Sequence, residues 1–435
     1  MNKYKKSIFV VSQYLDKGIY LCSNFYNGKH ILLSADKYVL YQNNDFISLR
    51  NEYPLLFTRL CEGLFILEES TNELKSVEDG LKNDILDDTL YHIVINPTLD
   101  CNLNCWYCYE KKVPHSSMPE SIVLAICKHI EYQYNMQQYK MLKLSFFGGE
   151  PFLNQRVIVN LINFAKIFCT QNNIQLLLDF TTNGTLLSES TLRCIEDMSC
   201  LFQITLDGDK ERHNKVKYSK SVPDAFSATL RNIRMIQERV KRSFISVRFN
   251  FDKESLSCYN QLLSELSDLD KQRTKIILKK VWQVDGNIIP KDDVVQIIDN
   301  TLAKGFVVDY YSQGGACFAD RKNQVTFNYD GTVYKCTTIN NFDLANSLGV
   351  LCVNTGKVTW NSNKTKYLSN YGIPNNCKLC PLLPMCGGPC RKKLSLWKVD
   401  DCFLNEINMS KEEYALVQFK IELVRQSLYA QTLNP

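Results

Sequence analysis

Histidine is scarce in this sequence, with five in 435 residues and none beyond His213, so the C-terminal half has no imidazole for a metal site. Long apolar runs are also missing. No stretch approaches the ~18 residues of a membrane span, and the N-terminal run, Ile8 to Val11, is too short for a signal-peptide core. No basic block stands out among 51 basic and 46 acidic residues, and a net charge of +5 gives nucleic-acid binding no support beyond a mildly basic surface. Neither a nucleic acid nor a membrane is therefore expected as partner. Cysteine, in contrast, is abundant, with 18 residues. A secreted disulfide framework and an intracellular metal protein compete as explanations. Without a signal core the expected location is cytoplasmic, where thiols stay reduced and tight C-x2-C spacings read as metal ligands.

The hydrophobic content of 45% is that of an ordinary globular protein, and the length suits two or three domains at ~100–200 residues each. Residues 1–90 read as a first α+β module. Gly18–Tyr26 and Lys29–Ser34 flank Asn27-Gly28, a two-residue hairpin signal. Helices are expected near Ala35–Tyr41 and Glu52–Cys61, with Gly63 as a stop, and a strand at Leu64–Leu67. A hairpin with two or three helices outlines a winged-helix-like module; packing on a neighbouring domain is the plainer alternative.

Between 91 and 285 the pattern alternates. Strands are expected at Ile93–Asn96, Leu142–Phe147, Gln175–Phe180, Leu201–Leu206, Phe244–Phe251 and Lys275–Val281. Helices fall between most of them, at Pro119–Tyr134, Gln155–Phe168, Ser188–Met198, Ala225–Lys241 and Glu254–Leu266. Strands alternating with helices of this length mean βαβ units and a mostly parallel sheet, so the fold class is α/β. Just after the first strand stands Cys101-Asn-Leu-Asn-Cys105-Trp-Tyr-Cys108. Three thiolates can hold three irons of a cubane and leave the fourth without a protein ligand, which suits a small chelating molecule. A zinc site, with His115 closing an irregular loop, or buried thiols would use the same residues.

The C-x3-C-x2-C spacing resembles the signature of the radical S-adenosylmethionine (SAM) superfamily, and the six expected units match its partial (β/α)6 barrel. Gly148-Gly149-Glu150-Pro151 after the second strand resembles the family's GGEP segment, in which exposed carbonyls and Glu150 accept hydrogen bonds from the SAM ammonium group. Thr182 and Asn183, within Thr181-Thr-Asn-Gly-Thr185, are similar to the ribose-contacting segment. Thr205-Leu-Asp-Gly208 followed by Arg212-His-Asn-Lys-Val-Lys217 looks like S-[LI]-D-G…H-D-x-x-R, departing at Thr205, Asn214 and Lys217. Thr205 keeps the hydroxyl of the family serine. Lys217 keeps the charge but loses the fork that grips a carboxylate. Arg248 and Asn250 share one face of the fifth strand by period 2, which makes Arg248 the alternative contact for the SAM carboxylate. The resemblance sets Tyr107 beside the adenine.

A helix-like link at 286–310 is expected to lead out of the barrel, a cysteine-rich region to fill 311–405, and a helix to end the chain at 406–435. Its cysteines run Cys317-x13-Gly331-x4-Cys336, then Cys377-x2-Cys380-x5-Cys386-x3-Cys390, then Cys402. The run resembles the SPASM domain of radical SAM enzymes that modify peptides and proteins. That resemblance implies two auxiliary [4Fe–4S] clusters, the nearer on Cys317, Cys336 and Cys390 and the farther on Cys377, Cys380, Cys386 and Cys402, making three clusters with SAM as cofactor. No cysteine lies within 318–330, so either Asp320 closes the nearer cluster or its iron stays open to substrate. A zinc-ribbon-like scaffold is the competing reading, but seven cysteines do not divide into four-ligand zinc sites. The eight other cysteines, at 22, 61, 127, 169, 194, 200, 258 and 352, read as small apolar residues.

The implied function is a peptide maturase that abstracts hydrogen with a 5′-deoxyadenosyl radical and forms a thioether or carbon–carbon crosslink. Its implied partners are a ribosomally made precursor peptide, whose leader would add a β-strand to the first module, and an electron donor such as flavodoxin or ferredoxin. An anaerobic sulfatase maturase making formylglycine, and a non-catalytic iron–sulfur peptide-binding protein, are the alternatives. No catalytic base or donor stands out.

Overall fold

The computed structural model describes residues 3–283, 289–311, 314–369, 372–391 and 402–433. Residues 286–288 of the expected link, and 312–313, 370–371 and 392–401 of the expected cysteine-rich region, lie outside these. The chain forms two compact units, Met1–Ile85 with Tyr311–Cys317 and Tyr367–Ser427, and Leu86–Tyr310 with Phe318–Lys366 and Leu428–Pro435.

The first unit begins with strands β1 (Tyr4–Lys6), β2 (Val10–Asp16), β3 (Ile19–Asn24) and β4 (Lys29–Ser34). Helices α1 (Ala35–Gln42), α2 (Phe46–Glu52) and α3 (Pro54–Glu62), strand β5 (Ile66–Glu68) and helix α4 (Glu73–Leu86) follow. β2, β3 and β4 make an antiparallel sheet with β4 at one edge, and β1 pairs with β5. Gly28 turns the β3–β4 hairpin at φ +71°, a conformation glycine adopts without strain. The expected helix at 52–61 starts at Pro54, a preferred first helical position. α2 before it is an addition, capped by Asp45 accepting from Ser48 N at 3.1 Å. Cys22, Leu33, Tyr41, Phe46, Leu49, Phe57, Leu60 and Phe65 form the core between sheet and helices. The C-terminal helix, Lys411–Leu433, also reaches this sheet, with Tyr414 against Phe25 at 6.1 Å and Phe419 against His30 at 5.4 Å between ring centroids.

The second unit is the alternating one. Its strands are β6 (Leu90–Ile95), β7 (Met141–Phe146), β8 (Gln175–Thr182), β9 (Ser199–Thr205), β10 (Ser243–Phe251), β11 (Thr274–Lys280) and β12 (Val307–Asp309), each parallel to the next. The connecting helices are α5 (Glu120–Gln137), α6 (Gln155–Gln171), α7 (Glu189–Ile195), α8 (Lys210–Val216), α9 (Ala225–Arg239), α10 (Lys253–Ser257), α11 (Tyr259–Glu265) and α12 (Lys291–Ala303). The expected link is therefore a further helix and strand, with β12 pairing with β11. On the other side of β6 come β13 (Gln324–Phe327), parallel to it, and then antiparallel β14 (Thr332–Tyr334), β15 (Gly349–Leu351) and β16 (Val358–Trp360).

The two faces of the parallel sheet differ, because side chains alternate along a strand. Phe146, Phe180 and Phe202 lie opposite one another on adjacent strands and stack at 5.3 and 4.9 Å, fully buried. The opposite face is polar: His92 bonds Ser145 at 2.8 Å, Ser145 donates to Asp179 at 3.0 Å and Lys143 pairs with Asp179 at 2.7 Å. Inward positions of a closed barrel are packed with branched apolar residues; this polar cluster, with its part-exposed Lys143–Asp179 pair, fits an open one.

Candidate active site

The cysteine loop stands where β6 ends, on the carboxyl side of the parallel strands, the side on which such sheets place their chemistry. Asp100 shapes its start, accepting from Cys101 N and His115 N, both at 2.8 Å. Lys112 closes its middle by donating to the Leu103 carbonyl and to Asn104 Oδ1. The thiols of Cys101 and Cys108 each feel that of Cys105. Burial first, and then Glu150 and Cys105, push the Cys101 thiol up to about 12. Thiols in such a place need a cation to become thiolates, which a cluster provides. Among the described residues no three His, Cys, Asp or Glu side chains converge as the ligands of a single metal ion would. Thiolates on a cubane each take a different iron and need no common point.

Gly148 and Gly149 follow β7 and lie against the approach to this loop. A Cβ on Gly148 would collide with the Thr98 carbonyl, and one on Gly149 with the Asp100 carbonyl. Gly148 also sits at φ +109°, where side chains are strained. Only bare backbone fits, so the cysteine loop is gripped closely from the β7 side.

Glu150 is wholly buried, and its carboxylate accepts from Phe152 N at 3.0 Å, Thr182 Oγ1 at 2.8 Å and Asn183 N at 2.8 Å. Burial pushes it up to about 7, against the pull of those donors. Here it knits the β7 and β8 loops together. Asn183 continues the chain of contacts to Asn102 Oδ1 at 2.9 Å and the Cys101 thiol at 3.9 Å, and Asn102 donates to Thr185 at 2.9 Å. Thr205, at the end of β9, stands directly opposite Arg248 of β10.

Three groups without an assigned role in the sequence complete the mouth. Asp207, 1% exposed, accepts from the Tyr107 hydroxyl at 2.5 Å and pairs with Lys217 at 3.4 Å. Asn250 donates to the Tyr107 hydroxyl at 3.0 Å and to Asp207 at 3.2 Å, and accepts from Arg248 Nε at 2.8 Å. His213, held neutral by burial with its value lowered to about 3, accepts from Asp207 N at 3.1 Å and sets the turn after β9. Burial alone would lower Lys217; Asp207, then Cys105 and Tyr107, more than reverse that and hold its ammonium well above its ordinary value. Asp207 and Asn250 were visible in motif and strand register, but only the fold shows that they meet.

The later cysteines divide between the units. In the first, the Cys386 thiol is pushed up to about 11 by burial and by its neighbours Cys380, Cys377 and Cys402. Cys317 and Cys390 belong to the same unit, whereas Cys336 follows β14 in the second, near Tyr109.

A family model described as a 4Fe-4S single cluster domain matches residues 95–222. The chain is 23% identical over 333 residues to the cysteine-type anaerobic sulfatase-maturating enzyme of Clostridium novyi (strain NT), covering 67% of this chain and 85% of that protein. It is 22% identical over 421 residues to the radical SAM cyclopropyl synthase TigE of Paramaledivibacter caminithermalis, covering 86% and 83%. The solved structure of native anSMEcpe with bound AdoMet and Cp18Cys peptide superposes with a TM-score of 0.55 at 18% identity, over 79% of this chain and 99% of that one. In sequence the chain is similar to radical SAM enzymes, and its α/β fold matches that of a solved one. The relatives it resembles include both an anaerobic sulfatase-maturating enzyme and a cyclopropyl synthase.

Proposed function

We propose that this enzyme is a maturase of a ribosomally made peptide, with Cys101, Cys105 and Cys108 holding the cluster that binds SAM. When bound, cluster and SAM supply the 5′-deoxyadenosyl radical that removes hydrogen from the substrate. The observation that carries the reading is the cysteine loop at the carboxyl end of the first parallel strand, walled by two glycines that admit no side chain. Thr182 and Asn183 offer short polar groups for the sugar and Thr205 a hydroxyl. Arg248 meets the SAM carboxylate: its Nε is engaged by Asn250, and it has no carboxylate partner among the described residues. The ammonium of Lys217 is already matched by Asp207.

A precursor peptide, rather than a sulfatase, is favoured by coverage: the alignment with the cyclopropyl synthase takes in 86% of the chain against 67% for the sulfatase maturase. The first unit suits a leader. The outer edge of β4 borders a cavity of about 490 Å³ lined by Lys29, Ile31, Arg59, Phe65, Phe419 and Leu423, and an extended peptide can pair with such an edge. Two auxiliary clusters, on Cys377, Cys380, Cys386 and Cys402 and on Cys317, Cys336 and Cys390, would accept the surplus electron or ligate the substrate. Asp320, which acts on Lys335, or a substrate thiolate would complete the nearer one. Flavodoxin or ferredoxin would deliver the first electron.

The test is anoxic incubation of reconstituted enzyme with SAM, reductant and a Cys-rich peptide encoded nearby. The expected outcome is 5′-deoxyadenosine together with a peptide lighter by the mass of two hydrogens. Formylglycine in a sulfatase peptide instead would favour the sulfatase-maturase reading, and no SAM cleavage with any peptide would leave only a binder.

A further inference from the structure

Every bond at the barrel mouth that involves Tyr107 leads to one carboxylate. Asp207 Oδ2 takes the Tyr107 hydroxyl and the Lys217 ammonium, while its Oδ1 takes Asn250 N at 3.3 Å and Asn250 Nδ2 at 3.2 Å. Four segments converge there: the cysteine loop, the turn after β9, the end of α8 and strand β10. Asp207 and Lys217 are 1% and 5% exposed, so the pair is withdrawn from solvent. The Lys217 ammonium also lies 5.7 Å from the centre of the Tyr107 ring, where the ring face attracts a cation. An ammonium is a compact point charge that fits between carboxylate and ring, whereas a guanidinium is a planar fork suited to a carboxylate presented edge-on.

We propose that Tyr107, Asp207 and Lys217 form a buried latch that fixes the cysteine loop in its SAM-receiving position, with Asp207 as the hub and Lys217 as its counter-ion rather than a ligand of SAM. These are positioning residues: they act through the loop that carries Cys105 and Cys108. The inference rests on reading that loop as the SAM cluster site. It accounts for the lysine at 217: Asn250 already occupies Asp207 Oδ1, so one oxygen, Oδ2, is left to the cation, and a point charge uses it where a two-pronged fork would find half its partner taken.

The latch is tested by binding and spectroscopy on the full-length, iron-loaded protein. Tyr107→Phe should keep its iron content and circular dichroism. Its KM for SAM should rise by roughly 10–100-fold, the range for groups that orient metal ligands, with a much smaller fall in kcat and a weakened SAM-induced change in the electron paramagnetic resonance of the reduced cluster. Lys217→Met should lose cluster or fold, since it strands a buried carboxylate. The double variant Lys217→Met/Asp207→Asn removes that charge, and should regain the cluster and bind SAM more tightly than Lys217→Met alone. The latch is overturned if Tyr107→Phe matches the parent in KM and spectrum. It is equally overturned if Lys217→Met weakens SAM binding by the same factor with Asp207 present or replaced, which would make Lys217 a direct ligand. A parent protein that holds iron but shows no SAM-induced spectral change would instead refute the SAM assignment itself.

Discussion

The two cysteine-bearing regions are built on opposite terms. Around Cys101, Cys105 and Cys108 the protein supplies the order, with Asp100 and Lys112 bonding the loop to itself, and Asn183 and Asp207 tying it to the segments that follow β8 and β9. Around Cys377, Cys380 and Cys386 the described residues form single-turn helices, Asn375–Lys378 and Leu383–Cys386, whose backbone bonds span one turn, with Gly388 N donating to the Cys386 thiol at 3.4 Å and the Tyr414 hydroxyl to Met385 Sδ at 3.6 Å. Leu383 sits among Phe9, Val77 and Leu81, and Leu382 beside it is likewise fully buried. A scaffold that orders its thiols in advance can bind and release a cofactor, while one that barely orders them depends on the metal for its own structure.

That contrast is broken or sharpened most severely by removing iron. Chelation under anoxic conditions should leave amides of β6–β11 protected from hydrogen exchange, while those of 375–390 lose protection, because structural metal sites contribute on the order of 10 kcal/mol to folding. Equal protection in both regions without iron would erase the distinction. Next in size is the triple variant Cys101→Ala/Cys105→Ala/Cys108→Ala. It should lose about four of about twelve irons and all 5′-deoxyadenosine formation while the barrel's circular dichroism persists; full iron retention would remove the first cluster from this loop.

The barrel's order was also the more legible part of the sequence. Six strands and their helices followed from periodicity because each strand buries one face on helices and each helix buries one stripe, so local pattern and tertiary fold agree. β12 escaped notice: three residues, Val307–Asp309, carry too little periodicity, and pairing with β11 decides their conformation. α2 was hidden by Pro54, which splits one apolar-periodic stretch into two helices. The cysteine, glycine and Glu150 positions were readable as motifs. Glu150's burial against Thr182 and Asn183, and the convergence on Asp207, were not, since they depend on loops from four strands meeting in space.

Acid should attack the barrel unit in particular. His129, between the Tyr91 hydroxyl at 2.7 Å and the Gly356 carbonyl at 2.6 Å, is lowered to about 4 by burial, against the pull of that carbonyl. The unfolded chain therefore takes up this proton near its ordinary value of 6.5, before the folded one does. Stability is fully present above 6.5 and falls as pH drops toward 4, by on the order of 3 kcal/mol at about 1.4 kcal/mol per pH unit. His92 and His213, both lowered to about 3, act in the same direction, and the three histidines outweigh Glu150 and Glu110, which burial raises to about 7 and 8 and which act the opposite way. A denaturant midpoint for the barrel that stayed flat from pH 7 to 4 would contradict this.

The smallest effects come from two glycines, one on each side of the comparison. Gly149→Ala drives a methyl into the Asp100 carbonyl, which also accepts Glu150 N at 2.8 Å. The cysteine loop must then shift, and misplacement near 1 Å costs about 100-fold in rate, so SAM cleavage should fall by about that much, with a lowered melting temperature beside it because the clash is with backbone. Gly80 lies exposed within α4 of the other unit, with no atom within 4 Å of an added Cβ. Gly80→Ala restricts only the unfolded chain and should stabilise that unit by about 1 kcal/mol, leaving SAM cleavage at its parent rate. If the two exchanges had similar consequences, the glycines at the barrel mouth would be ordinary turn residues, and the packing of Gly149 on Asp100 would have no part in holding the thiols.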